Sequence, residues 1–132
     1  MTVSNITGAP GLYNITLSAT SGGTTKTIPL TLQIYNTNSP TMSLTAPADN
    51  AVGLSTAVTL SWAANTNAAS YDIQVATDNA FTNIISSGNI AATDYNVSGL
   101  LQGTDYFWRV SPKNSCNSVT YSTPFKFTTG QI

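Results

Sequence analysis

The sequence predicts an all-β protein, a seven-stranded β-sandwich preceded by an extra N-terminal β-hairpin. Three observations predict it. Apolar and polar residues alternate strictly over several short stretches, the pattern of a half-buried strand. Those stretches are separated by clusters of Asn, Asp, Gly, Ser and Pro, which supply turn chemistry. No stretch carries a sustained apolar i, i+3, i+4, i+7 stripe, and the abundant Thr, Val and Ile favour strands over helices.

In chain order, Tyr13, Ile15 and Leu17 share one face of the first strand, and Ser21-Gly22-Gly23-Thr24 is a turn. Ile28, Leu30, Leu32 and Ile34 then line one face of the second. Asn36-Thr37-Asn38-Ser39-Pro40 reads as a linker, which divides the chain into residues 1–38 and 39–132. The second part opens with Met42-Ser43-Leu44. Val58, Leu60 and Trp62 follow, alternating with Thr59 and Ser61; Tyr71, Ile73 and Val75 alternate with Asp72, Gln74 and Ala76. Two weaker strands run from Asn83 to Ser87 and from Asp94 to Val97. Tyr106, Trp108 and Val110 alternate with Phe107, Arg109 and Ser111, and Phe125 and Phe127 with Lys126 and Thr128. Seven short strands in roughly 90 residues are the count and spacing of a sandwich. Trp62, Tyr71, Tyr106 and Trp108 are the largest members of its expected core.

Composition excludes several functions. Only 7% of the 132 residues are charged, against roughly 25% in ordinary domains. There is no His and no Glu; the charges are Lys26, Lys113, Lys126, Arg109 and five Asp. Four cations leave no basic stripe for nucleic acid or anionic lipid. No apolar run approaches the ~20 residues of a membrane helix, so membrane insertion is not expected. Lone Cys116 makes no internal disulfide and no zinc site. It stands either as a loop thiol or as half of a disulfide to a partner elsewhere.

The strand residues, taken together, resemble a known family. Val58-x-Leu60-x-Trp62, Ser70-Tyr71-Asp72-Ile73-Gln74-Val75, Leu100-x5-Tyr106 and Arg109-Val110 are similar to a fibronectin type III domain. The resemblance places Trp62 on strand B and Tyr71 on strand C. It makes the stretch from Gly99 through Leu100 to Tyr106 a tyrosine corner, whose phenol hydroxyl returns to a backbone group and pins the crossover. Gln102 stands where the family often has Pro. Thr77-Asp78-x-x-Phe81 and Tyr106-Phe107-Trp108-Arg109-Val110 resemble the form found in large secreted bacterial proteins. That implies an extracellular or cell-surface setting, with neighbouring domains of the parent chain as partners. It also allows a catalytic domain, such as a protease, elsewhere in the parent.

Residues 1–38 need a separate account. Pro10-Gly11-Leu12-Tyr13 echoes Gly103-Thr104-Asp105-Tyr106, and each leads into a strand, a polar turn and a final strand. The segment therefore reads as the last hairpin of another Ig-like sandwich plus a linker. Two strands form no core in water. The expectation is that its Ile28–Ile34 face is covered, either by the sandwich or by a second copy of the chain in a homodimer.

Catalysis has few candidates. Asp49, Asp78 and Asp105 fall in turn or strand-entry contexts, and Asp72 has outward parity. No His activates Cys116, and no Gly-x-Ser-x-Gly or phosphate loop is present. Asp78-Asn79 and Asp49-Asn50 supply too few oxygens for calcium. No enzyme activity, metal or cofactor is expected of this chain. Recognition of a protein or glycan would use the segment between the last two strands, where Lys113, Asn114, Asn117 and Tyr121 form a candidate contact patch. The competing reading lays Tyr121 over Arg109 as a cation–π contact. Two functions follow: a non-catalytic spacer that positions neighbouring domains, or a recognition module.

Overall fold

The computed structural model describes Ala9 and residues 11–34, 41–116 and 119–131. Among them are ten strands and no helix. Strands β1 (Gly11–Ser21) and β2 (Thr24–Ile34) form a two-stranded sheet of their own. The others are β3 (Leu44–Ala46), β4 (Ala51–Leu54), β5 (Val58–Trp62), β6 (Ser70–Ala76), β7 (Ile84–Ile90), β8 (Asp94–Val97), β9 (Asp105–Lys113) and β10 (Phe125–Thr129). They make a five-stranded sheet, β4-β10-β9-β6-β7, and a three-stranded sheet, β3-β5-β8. One hydrophobic core lies between the two.

Seven strands are expected in this part and eight are found, because the first one divides between the sheets. Leu44 and Ala46 of β3 pair with Trp62 and Ser61 of β5. The chain then turns at Pro47–Asn50 and rejoins as β4, parallel to β10, with Ala51 opposite Phe127 and Leu54 opposite Thr129. The turn is hooked onto β10 from both ends. The Lys126 N–H donates to Asp49 Oδ1 (2.9 Å), and the Asn50 N–H donates to the Lys126 carbonyl (2.7 Å). Asn50 has a φ of 64°, a left-handed conformation that Asn tolerates better than most residues. Ala51-Val52-Gly53-Leu54 shows no apolar alternation, so periodicity gives no signal for β4.

The alternation read from the sequence becomes two faces of the large sheet. Ile73 stands opposite Val110 and Val75 opposite Trp108, facing inward, while Gln74 stands opposite Arg109. Trp62, Tyr71, Tyr106 and Trp108 are all buried, together with Leu60, Val97, Leu100 and Phe127. The rings interlock edge to face, Trp62 on Tyr71 at 5.6 Å and Trp108 on Phe125 at 6.1 Å. Each large apolar side chain so buried contributes about 1.5–3 kcal/mol.

The corner leading into β9 is closed by side chains. The Leu101 N–H donates to Tyr106 Oη at 2.9 Å. Thr129 Oγ1 donates to the Leu101 carbonyl at 2.5 Å and accepts from the Thr104 N–H at 3.0 Å. Gly99 and Gly103 take φ values of 73° and 56°, where a side chain would cost about 1–2 kcal/mol. The Gln102 carbonyl accepts from Thr104 Oγ1 at 3.0 Å.

In the hairpin the register runs without a break from Gly11 opposite Ile34 to Ser21 opposite Thr24. It puts the pairs Tyr13–Leu32, Ile15–Leu30 and Leu17–Ile28 on one face. The sandwich does not cover that face. Ile28 is 57% exposed and Leu30 41%, which corrects the expectation of cover by this chain's own sandwich. The reason is that the two sheets close the core between Met42 and Phe127 with their own side chains. The linker expected at 36–40 lies outside the described residues.

Candidate functional site

The segment after β9 does not project as a free loop. It turns back along β9: the Ser122 N–H donates to the Val110 carbonyl (2.8 Å), and the Val110 N–H donates to Ser122 Oγ (3.2 Å). The Thr120 N–H donates to Ser111 Oγ (3.0 Å). Ser111, which has outward parity, is buried as a result.

This path sets Tyr121 against Arg109, with the guanidinium carbon 4.2 Å from the ring centroid. Phe81 meets the same guanidinium at 3.9 Å. Gln74, opposite Arg109 on β6, completes the cluster, its Oε1 accepting from Nε (2.9 Å) and Nη2 (2.7 Å). Phe81 adopts a φ of 57°, costly for a bulky residue. The loop before β7 holds it there. The Asp78 carboxylate accepts from the Thr82 N–H (3.1 Å) and the Asn83 N–H (2.8 Å), and the Phe81 N–H donates to the Asp78 carbonyl (3.1 Å). The Asn83 N–H first, and then that of Thr82, hold the Asp78 carboxyl below the ordinary carboxylate range. Burial pushes the Tyr121 phenol up, Asp72 adds to the effect and Arg109 opposes it. Tyr121 thus meets Arg109 as a neutral phenol.

The other candidate contact residues are dispersed. Lys113 Nζ pairs with Asp72 Oδ2 at 3.5 Å, and Asp72 Oδ1 accepts from Asn89 Nδ2 at 2.6 Å. Asn114 turns inward and is only 8% exposed. Its Nδ2 donates to the Asn67 carbonyl (2.5 Å) and its Oδ1 accepts from the Cys116 N–H (2.8 Å). Asn117 lies outside the described residues. Lys113 and Tyr121 therefore share the field of Asp72, while Asn114 holds loop backbone. Strand parity already sets Gln74 and Arg109 on one outward face with Asp72 and Phe107, whereas Phe81 was missed as part of this cluster. The spacing Asp78-x-x-Phe81 was the available signal for it.

The carboxylates and clefts speak to chemistry. Asp105 Oδ2 pairs with Lys126 Nζ at 2.8 Å, and Oδ1 accepts from Thr128 Oγ1 at 2.6 Å. Lys126 chiefly, with Thr128, holds that carboxyl below its usual range. Three surface clefts, of ≈460, ≈440 and ≈280 Å³, have no charged residue in their linings. Among the described residues no three His, Cys, Asp or Glu side chains gather. Cys116 is an exposed free thiol.

Two sheets of antiparallel-dominated strands around one core, with a tyrosine corner entering the penultimate strand, define an Ig-like β-sandwich. The chain belongs to the fibronectin type III family, whose domain model matches residues 45–128. Domains of this family are generally non-catalytic modules. In solved structures, a Fn3-like protein from Clostridium thermocellum is similar, with a TM-score of 0.53 at 24% identity, over 72% of this chain and 98% of that one. The fibronectin(III)-like modules of Clostridium thermocellum CbhA give 0.49 at 20% identity, over 68% and 96%. No curated protein matches the sequence.

Proposed function

We propose that the chain acts as a non-catalytic spacer that positions neighbouring domains of a secreted or surface bacterial protein. One observation carries this reading. Seven of the nine charged side chains are engaged within the fold: Asp49, Asp72, Asp78, Asp105, Arg109, Lys113 and Lys126. Charge here closes turns and ties strands, and none of it lines the three clefts described above. The abundance of Thr, Ser and Asn beside few charges is in keeping with a weakly charged module of a larger exported chain.

The test exchanges residues 41–131 in the parent protein for an unrelated sandwich of similar length. The parent's activity is expected to survive that exchange and to fall when the segment is replaced by a short flexible linker. Saturable binding of the isolated chain to a glycan or protein, abolished by Tyr121→Ala, would overturn the spacer in favour of recognition. Cell fractionation of the natural host tests the setting, and a cytosolic parent sinks it.

A further inference from the structure

The hairpin repeats, in miniature, the geometry at the end of the sandwich. Tyr106 opens β9, and its hydroxyl binds backbone five residues upstream, at Leu101. Tyr13 opens β1, and its hydroxyl donates to the carbonyl of Ala9, four residues upstream, at 2.9 Å. Beyond each tyrosine the register continues alike. Tyr106 stands opposite Phe127 and Trp108 opposite Phe125; Tyr13 stands opposite Leu32 and Ile15 opposite Leu30. The difference lies in what covers them. The β9–β10 face is sealed by β3, β5 and β8, whereas Tyr13 is 39% exposed and Ile28 and Leu30 are more so.

The two strands of the hairpin also differ at their outer edges. β2 carries Pro29, which has no N–H to offer, and Lys26; both are devices that blunt a sheet edge. β1 carries neither proline nor charge along its 11 residues, so nothing on it blocks the addition of a further strand. β9, its counterpart, has β10 on one side and β6 on the other.

We infer that β1 and β2 are the last two strands of a second Ig-like sandwich. Its opposing sheet, built of alternating apolar strands from the same polypeptide N-terminal to Ala9, covers Tyr13, Ile15, Leu17, Ile28, Leu30 and Leu32. A further antiparallel strand of that domain pairs with the free edge of β1. A second copy of the chain fits less well. It satisfies one need at a time: paired edge to edge through β1 it leaves the apolar face open, and packed face to face it leaves the edge of β1 unpaired. The inference concerns the hairpin alone and stands or falls independently of the spacer reading.

Hydrogen exchange and light scattering test it on the 132-residue chain and on one extended upstream through a further domain length of its natural sequence. The 132-residue chain should be monomeric, with amides of 11–34 exchanging far faster than those of β6 and β9. In the extended chain those amides should slow by at least roughly a hundredfold. There, Ile15→Lys should restore fast exchange in 11–34 while Ser18→Lys, on the polar face, leaves it slow. Neither should alter exchange in 41–131. The inference is overturned by a dimer of the 132-residue chain with protected hairpin amides. It is equally overturned if the extended chain leaves those amides fast, or if the gene encodes no strand-forming segment upstream.

Discussion

Single residues in this fold divide into those that fill volume and those that close hydrogen bonds. Trp62 fills volume, and Trp62→Ala should cost about 3–5 kcal/mol in chemical unfolding. Its indole N–H, like that of Trp108, is buried without an acceptor among the described residues. Such a donor costs about 1–3 kcal/mol, so Trp62→Phe should lose much less than Trp62→Ala. Tyr106 does both jobs. Tyr106→Phe keeps the ring but strands the Leu101 N–H, and a loss of about 1 kcal/mol is expected from the same titration. Arg109 lies outside the core and grips two rings and an amide. Arg109→Lys should lower stability by about 1–2 kcal/mol, since an ammonium lacks the planar fork and stacks poorly. Double-mutant cycles with Phe81→Ala and Tyr121→Ala would apportion that loss, and zero coupling with both rings would refute the stacking.

At the scale of elements, the strongly alternating strands β5, β6, β9 and β10 could be read from the sequence because one face of each is buried against the opposite sheet. Alternation is the imprint of that asymmetry. β4 left no such imprint, since it is short, lies at a sheet edge and exposes Val52. The candidate site was legible only in part. Tyr121 over Arg109 follows from parity, but the inward turn of Asn114 depends on Asn67, 47 positions away in sequence, which no local pattern encodes. β7 illustrates an element whose weakness is visible in both views. Ile84-Ile85-Ser86-Ser87-Gly88-Asn89-Ile90 forms an outer edge of the large sheet without charge or proline, and Ile84 and Ile85 are exposed. Such an edge invites pairing with another chain. Ile85→Lys should raise the concentration at which light scattering first detects association, with a change in unfolding free energy of no more than about 0.5 kcal/mol.

For the whole molecule, titration follows from composition. Asp78 and Asp105 have carboxyls held below their usual pKa of 3.8. Their contribution is therefore complete above the unfolded value and is lost as pH falls through the folded ones. With no His or Glu in the chain, the unfolding midpoint should stay level from about pH 5 to 7.5 and decline below about pH 4. A step near pH 6.5 would contradict this. The core, running from Met42 to Phe127, includes no hairpin residue. Residues 41–131 alone should accordingly unfold with a free energy within about 0.5 kcal/mol of the longer chain's sandwich. The divided first strand has a mechanical consequence. β4 lies parallel to β10, bonded at Asn50 to Lys126 and at Gly130 to Leu54. Tension applied between the two ends of the sandwich draws these strands in opposite directions along their length. Their hydrogen bonds are then sheared together rather than opened one at a time, so the seam where the chain enters and leaves the domain resists being pulled apart.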